Sequence, residues 1–196
     1  GMLISVAEEA YPLLYPCVGC VEQNTEDWFA AFVRAQKKAA RQLSENQKKA
    51  VASVCICATS STVIPIDKQG KPLANAVMWM DCRASKQADR INATKDEVLK
   101  FCGGESSAEW LIAKVLWIKE NKPELYKQTW KFVEQLDWIN YLLTDKLAAS
   151  ECNAVCKGHY VSKFGGWKND FFDSIGFADY TEKIITEIYP VGSVVG

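Results

Sequence analysis

The chain has 196 residues, of which 48% are hydrophobic and 24% charged, a balance that is ordinary for a soluble globular domain. Lysine and arginine total 23 against 24 aspartates and glutamates, so the net charge of -1 provides no basic field for nucleic acid and no polybasic membrane signal. No stretch approaches the ~20 apolar residues of a bilayer span, and the first residues lack the features of a secretory signal. We therefore expect one cytoplasmic domain over residues 1–196, with a small molecule or another protein as its partner.

Eight cysteines are scattered through apolar segments, which is typical of free buried thiols in a reducing compartment. Cys17 and Cys20 have the spacing of half a zinc site, and Cys152 and Cys156 would present two thiols on one helical face. A closed zinc site needs four ligands with a tighter second pair, and His159 is the only histidine. We predict that the cysteines pack in the core and bind no metal, with a zinc or redox function as the alternative.

The first half of the chain predicts a helix followed by strands. Residues 2–15 read as a strand region, and the segment after Asn24 predicts an amphipathic helix with Asn24 or Thr25 as its cap. The nearly continuous apolar run VASVCIC, residues 51–57, predicts a central strand covered on both faces. TVIPID and ANAVMWM, separated by the turn signal DKQGKP, predict two neighbouring strands.

The second half is mostly helical in its patterns. Asp81 is predicted to cap a helix, and capping-box patterns at residues 94–97 and 106–109 precede two further apolar segments. The second of these segments predicts a helix that Pro123 ends, and LDWINYLL, residues 136–143, predicts another. Strands followed by helices that must cover them indicate a layered α/β domain with a mixed sheet.

Trp79, Asp81 and Arg83 stand at every second position where a predicted strand gives way to a helix. On a strand the three side chains would share one face. The indole ring of Trp79, the carboxylate of Asp81 as acceptor and the guanidinium of Arg83 as donor would together suit a polyhydroxylated ligand. The alternative needs no ligand: Asp81 caps the helix, Arg83 is solvated and Trp79 belongs to the core.

Two further segments carry candidate binding residues. CATSST, residues 57–62, places hydroxyl groups at the end of the apolar strand, where α/β sheets bind ligands, although hydroxyl residues also favour turns. Lys157 follows a mostly small and apolar stretch and could reach into a cleft, although most lysines are solvated. Lys114 and Asp137 lie in largely apolar helices and are interpreted as capped or snorkelled charges.

Taken in order, these segments resemble the N-terminal domain of FGGY-type carbohydrate kinases, and within that family the ribulokinase-like members. Xylulose and glycerol kinases share many of the same positions. The resemblance covers almost the whole chain and is weakest before residue 22. Its specific motifs are the W-x-D-x-R turn at Trp79, Ala113-Lys114 before LW, the D-W of Asp137, L-T-D at 143–145 and P-V-G near the end.

This resemblance implies a ribonuclease-H-like, actin-type domain with a mixed sheet flanked by helices, incomplete at its N-terminus. It also implies a set of substrate-binding residues, namely Ser60, Ser61, Trp79, Asp81, Arg83 and Lys157. The family phosphorylates a sugar or polyol hydroxyl, with ATP and Mg²⁺ as cofactors of the complete enzyme. This chain contains no D-x-G-T turn for the phosphates and metal, stops before the family's catalytic aspartate and lacks the ATP-holding second lobe.

We therefore expect the substrate-binding lobe of a kinase for ribulose or a related pentulose, with no catalytic residue or metal site of its own and no activity alone. An exposed sheet edge is expected to cause self-association into a homodimer. The alternative is a non-catalytic sugar-binding or protein-interaction module from a truncated gene.

Overall fold

A computed structural model describes residues 1–196, and its N-terminal segment packs along the first helix. Helix α1 spans Thr25–Arg41 with Asn24 as its N-cap, as predicted. The preceding segment contacts this helix, and the Ser5 hydroxyl donates to the carbonyl of Ala39 at 2.8 Å. The prediction of a strand over residues 2–15 is wrong except at Leu14, which forms an isolated antiparallel bridge with Glu22. The rest of the segment forms no strand, and its polar partners, such as the carbonyl of Ala39, lie on α1.

The main sheet has four short strands, which are β1 (Glu22–Gln23), β2 (Val63–Ile66), β3 (Ala76–Val77) and β4 (Lys131–Glu134). Their spatial order is β1-β3-β2-β4, and each neighbouring pair is antiparallel. Strands β2 and β3 are the two neighbours that the sequence predicted. All four residues of β2 are buried, so this strand is covered on both faces of the sheet.

Residues 51–57, predicted as the doubly covered central strand, form no strand. They follow the short helix α2 (Glu45–Lys49), and Val51 and Val54 are 59% and 69% exposed. The main chain from residue 52 to residue 61 makes no backbone–backbone hydrogen bond. The prediction is wrong because an apolar run forms a strand only where another strand pairs with it, and no strand of this chain does so.

Seven further helices follow in the chain, namely α3 (Ser85–Ala93), α4 (Leu111–Asn121), α5 (Pro123–Gln128), α6 (Gln135–Thr144), α7 (Glu151–Lys157), α8 (Asn169–Ser174) and α9 (Tyr180–Lys183). A second sheet pairs β5 (Ala149–Ser150) with β6 (Ile188–Tyr189) in parallel. None of the helices combines the length and the apolar character that crossing a bilayer requires.

The helix starts differ from those that the capping patterns predicted. Helix α3 has Ala84 as its N-cap, so Asp81 does not cap it. The pattern at residues 94–97 yields a 3₁₀ helix with Asp96 as its cap, and α4 begins without a side-chain cap. Asp81 is free for another role because α3 starts four residues later.

The two faces of the main sheet bury separate apolar clusters. Val63 and Phe132 belong to the larger cluster, which includes residues of α3, α4 and α8. Ile64 and Val133, their neighbours in sequence, belong to the smaller cluster with residues of α1 and α6. This alternation is the period-two pattern of a strand, and it places helices on both faces of the sheet.

The cysteines differ from the sequence prediction. Cys17 and Cys20 are joined in a disulfide, which leaves no thiols for the half zinc site. Of the six free cysteines only Cys102 is buried. The prediction of free buried thiols is wrong because most of the apolar segments that carry them lie at the surface.

Candidate functional site

The hydroxyl loop, defined here as residues 59–62, leads directly into β2. Ser60 is half-buried, whereas Ser61 and Thr62 are buried at the start of the strand. The hydroxyl oxygens of Ser60 and Ser61 lie 3.4 Å apart. The loop therefore presents two adjacent hydroxyl groups where an exposed segment enters the covered sheet.

Two lysines from different helices bind the main chain of the hydroxyl loop. Lys157, the last residue of α7, is half-buried and its Nζ donates to the carbonyl of Ser60. Lys114 on α4 is fully buried, and its Nζ donates to the carbonyl of Ser61 at 2.7 Å and to that of Met78 at 2.6 Å. Burial of the ammonium lowers the pKa of Lys114 to about 7. Lys114 therefore joins the hydroxyl loop to the end of β3 and does not snorkel to solvent.

A buried acid stands beside the same loop. The carboxylate of Glu134, at the end of β4, accepts a hydrogen bond from Asn153 Nδ2 at 2.9 Å. Burial raises the pKa of Glu134, although the two serine hydroxyls and the two lysines act in the opposite direction. The site thus contains a carboxyl group whose ionised form is disfavoured by its surroundings.

A second buried acid follows one turn later. Glu134 and Asp137 form a capping box at the start of α6, so Asp137 is a capped charge, as interpreted from the sequence. Burial, and then the neighbouring charge of Glu134, raises the pKa of Asp137 well above its usual range. Asp137 Oδ2 accepts from the Glu134 amide in the capping box, and Asp137 Oδ1 accepts from the Ser150 amide at 3.3 Å.

A small cavity lies beside these acids. Its polar wall consists of Glu134, Asp137 and Asn153, and the remaining wall is apolar, with residues such as Leu111 and Ile185. The cavity therefore combines an apolar wall with three polar side chains that converge on it.

The structure places Asp81 and Arg83 in an ion cluster. Asp81 is fully buried, and its carboxylate accepts from the amide of Val21 at 2.6 Å and from Arg83 Nη2 at 2.8 Å. Arg83 also pairs with Glu22 at 2.9 Å and lies over the ring of Trp117 at 5.0 Å. These contacts join β1 to the turn after β3, and they require no ligand.

Trp79 does not share a strand face with the other two residues. It lies in the turn that follows β3, because that strand ends at Val77, and it is 37% exposed. Arg83 lines a different cavity, together with Trp117 and Lys122. The geometry therefore brings Ser60, Ser61 and Lys157 together. Asp81 and Arg83 form an ion cluster, and the charge of Asp81 acts on Lys114, which binds the carbonyl of Ser61.

Sequence reasoning missed Glu134 and Asn153 as members of this site. Glu134 follows two apolar residues of β4 and stands three residues before Asp137, which is the spacing of a capping box. That spacing was the only local signal, and it predicts a helix start without indicating a cavity. Asn153 lies on α7 one turn before Lys157, on the same side of the helix.

Comparison with known proteins gives a consistent result over the whole chain. Residues 1–196 match the model of the N-terminal domain of the FGGY family of carbohydrate kinases. The human FGGY carbohydrate kinase domain-containing protein is 31% identical over all of this chain and 37% of its own length. A ribulokinase from Bacillus licheniformis is 30% identical over 78% of this chain and 31% of its own length.

Solved structures show the same fold. A xylulose kinase from Lactobacillus acidophilus superposes with a TM-score of 0.81 at 21% identity, over 96% of this chain and 37% of that one. The shared fold is the ribonuclease-H-like, actin type expected from the sequence. This chain thus spans about a third of the length of such relatives, and it belongs to the FGGY family of carbohydrate kinases, matching their N-terminal domain.

Proposed function

We propose that residues 1–196 form one domain that binds the sugar substrate of an ATP-dependent carbohydrate kinase, and that the substrate is ribulose or a related pentulose. The observation that carries this proposal is the convergence of Lys157 and the hydroxyl loop beside Glu134 and its cavity. Hydroxyl, amide and charged groups beside an apolar wall suit an uncharged polyhydroxylated ligand. The names of the ribulokinase and xylulose kinase relatives favour a pentulose.

Phosphoryl transfer depends on groups that bind the phosphates, hold magnesium and orient the attacking hydroxyl. The residues of this chain do not fit magnesium ATP, because the sequence has no D-x-G-T turn or phosphate-binding G-x-x-x-x-G-K loop. No three histidine, cysteine or acidic side chains group closely enough to hold a metal ion. We therefore assign ATP and Mg²⁺ to the complete kinase and propose that this chain alone transfers no phosphate in the cytoplasm.

Direct contact of the substrate with Trp79, Asp81 and Arg83 stays a prediction. The ion cluster of Asp81 and Arg83 supports an indirect role, since it fixes the turn after β3, whose Met78 carbonyl binds Lys114. Within the proposed site, Ser60, Ser61 and Lys157 are the residues that we expect to approach the sugar.

Calorimetric titration with D-ribulose, D-xylulose and glycerol tests the proposal. We expect the chain to bind a pentulose more tightly than glycerol, and we expect Lys157→Ala to weaken that binding. Lys127→Ala is the matched control, because Lys127 pairs only with Glu124 on the exposed surface of α5. Absence of heat with all three ligands would contradict the proposal, and turnover in an ATP-coupled assay would contradict the predicted inactivity.

Self-association is a further part of the proposal. The exposed segment 51–57 carries unpaired backbone groups and apolar side chains, which are features of an edge that pairs with another chain. We propose that two copies associate through this segment. Sedimentation of the chain as a dimer, and as a monomer after Val54→Lys, is the expected result; a strict monomer at high concentration would refute it.

A further inference from the structure

A disulfide and a free thiol lie side by side just before β1. Cys17 and Cys20 are joined across a tight turn, in which the Cys20 amide donates to the Cys17 carbonyl at 3.0 Å and Gly19 has a φ of 75°. The Cys82 amide donates to the Gly19 carbonyl at 2.9 Å, and a Cβ added at Gly19 would lie 4.0 Å from the Cys82 Cβ. Bridged cysteines have Cβ atoms about 3.5–4.5 Å apart, so the turn approaches Cys82 as closely as one half of a disulfide approaches the other.

The three cysteines differ in their access to solvent. Cys17 and Cys82 are exposed, whereas Cys20 is buried. The Cys82 thiol donates only a weak hydrogen bond, to the Met80 carbonyl at 3.6 Å. Thiol–disulfide exchange requires access of the attacking thiol to the attacked sulfur. Cys17 and Cys82 are therefore the accessible pair, and Cys20 is suited to be the leaving thiol, because a buried cysteine is accommodated as a neutral thiol.

A purely structural role for the Cys17–Cys20 disulfide would be small. The bridge spans a sequence separation of 3, and the entropy that a disulfide removes from the unfolded chain grows with the length of the loop that it closes. The other six cysteines are all free, so this disulfide does not belong to a framework of the kind that holds small secreted domains together. C-x-x-C pairs outside such frameworks are found in disulfide oxidoreductases, where their thiols are reactive.

We propose that Cys17, Cys20 and Cys82 form a thiol–disulfide exchange site that responds to small-molecule thiols and disulfides. The Cys82 thiolate attacks the Cys17 sulfur, so that the Cys17–Cys82 bond forms and the Cys17–Cys20 bond breaks. Cys20 leaves as a thiolate and takes up the proton that Cys82 lost, and the step involves no net oxidation or reduction. A small-molecule dithiol reduces either bridge to two thiols and becomes a cyclic disulfide. Glutathione disulfide restores a bridge and becomes two glutathione thiols.

The exchange changes which segments are cross-linked. The Cys17–Cys20 bridge lies within one turn, whereas a Cys17–Cys82 bridge joins the segment before β1 to the turn after β3. These segments already meet where the Asp81 carboxylate accepts from the Val21 amide at 2.6 Å. A Cys17–Cys82 bridge closes a loop of roughly 65 residues, so it should stabilise the fold more than the short bridge does. This redox chemistry does not depend on sugar binding.

Disulfide mapping of Cys20→Ser tests the proposal. The variant is reduced with a dithiol, oxidised with submillimolar glutathione disulfide, alkylated and digested, and its linked peptides are measured by mass spectrometry. We expect the Cys17–Cys82 disulfide to exceed the mixed disulfides of these cysteines with glutathione by about tenfold, because a thiol held nearby has an effective concentration in the millimolar range. Cys152→Ser in the same background is the matched control, since Cys152 is also an exposed free thiol and its loss should leave this ratio unchanged.

Several results would overturn the exchange site. One is Cys17 paired with glutathione, or with Cys55 as often as with Cys82. The preference for Cys82 should also disappear in concentrated urea, and its persistence there would contradict an origin in the folded chain. The wild type provides a test without any substitution: after full reduction and reoxidation with one equivalent of glutathione disulfide, part of the chains should carry the Cys17–Cys82 bridge. Cys82 free in every chain would refute the proposal.

Discussion

Because His159 is buried, we predict that the free energy of unfolding falls markedly in mild acid. The imidazole is fully buried, neither ring nitrogen has a hydrogen-bond partner, and the ring packs between Trp110 and Phe171 at centroid distances of 5.5 and 5.4 Å. Burial lowers its pKa from 6.5 to about 4. Protonation therefore favours the unfolded chain, where the imidazole is hydrated.

The sign and the size of the effect follow from this difference in pKa. Because the folded pKa lies below the unfolded value, the contribution of neutral His159 is fully present above pH 6.5 and is lost as the pH falls towards 4. The linkage relation gives a loss of about 2 kcal/mol by pH 5 and about 3 kcal/mol by pH 4. For a domain whose unfolding free energy is of order 10 kcal/mol, this is a large fraction.

Urea unfolding followed by tryptophan fluorescence at pH 7.5 and pH 5 measures this loss, with His159→Phe as the control. The variant keeps an aromatic ring in the core and shares every other titrating group, including Asp96 and Asp179, whose pKa values are lowered. We expect the stability difference between the two proteins to shift by about 2 kcal/mol in favour of the variant at pH 5. A shift near zero, or an imidazole pKa near 6.5 by NMR, would refute the reasoning.

Three further predictions concern the buried polar groups and a tight turn. Burial lowers the pKa of Lys114 from 10.5 to about 7, so the free energy of unfolding should rise as the pH increases from 7 to 9, by up to about 1.4 kcal/mol per pH unit. Lys114→Met should abolish this slope, which urea unfolding at several pH values measures. Asp81→Asn should lower the free energy of unfolding by about 3 kcal/mol, because buried Arg83 would keep only Glu22 as an anionic partner. A decrease of less than about 1 kcal/mol in chemical unfolding would argue against the ion cluster. Gly70→Ala should lower the thermal unfolding midpoint more than Gly103→Ala. Both glycines have a positive φ, but only at Gly70 would an added Cβ lie 2.1 Å from the Tyr141 ring. Equal decreases in the two variants would contradict this contact.

Features encoded by neighbouring residues were predictable from the sequence. Asn24 caps α1 as expected, because its side chain meets an amide two residues away. Strands β2 and β3 are neighbours as expected, because a turn signal separates two short apolar runs. In these elements the deciding contacts lie within a few residues of the signal.

Features that depend on distant partners were not predictable in the same way. Asp81 was expected to cap a helix, but its carboxylate binds the amide of Val21, sixty residues earlier in the chain. The apolar run at residues 51–57 was expected in the core, yet burial depends on a pairing strand that local composition does not reveal. Glu134 was missed because its partner Asn153 comes from another helix.

The family resemblance supplied what local patterns lacked at the candidate site. It placed Ser60, Ser61 and Lys157 together although almost one hundred residues separate them, and the Lys157–Ser60 contact joins the two segments. The same resemblance grouped Asp81 and Arg83 with them, whereas their buried charges pair with each other and with Glu22. Charge pairing therefore gives Asp81 and Arg83 contacts that the resemblance did not indicate, and Lys114 connects the turn after β3 to the hydroxyl loop.

The position of a bound sugar is the most direct test of this account. Amide resonances of the chain, recorded by NMR during titration with D-ribulose, would show which residues sense the ligand. We predict that the shifted resonances cluster at residues 60–61, at Glu134 and at residues 153–157. Shifts centred on Arg83 and Trp117, or no shifts at saturating D-ribulose, would contradict the assignment of the sugar to the cavity beside the hydroxyl loop.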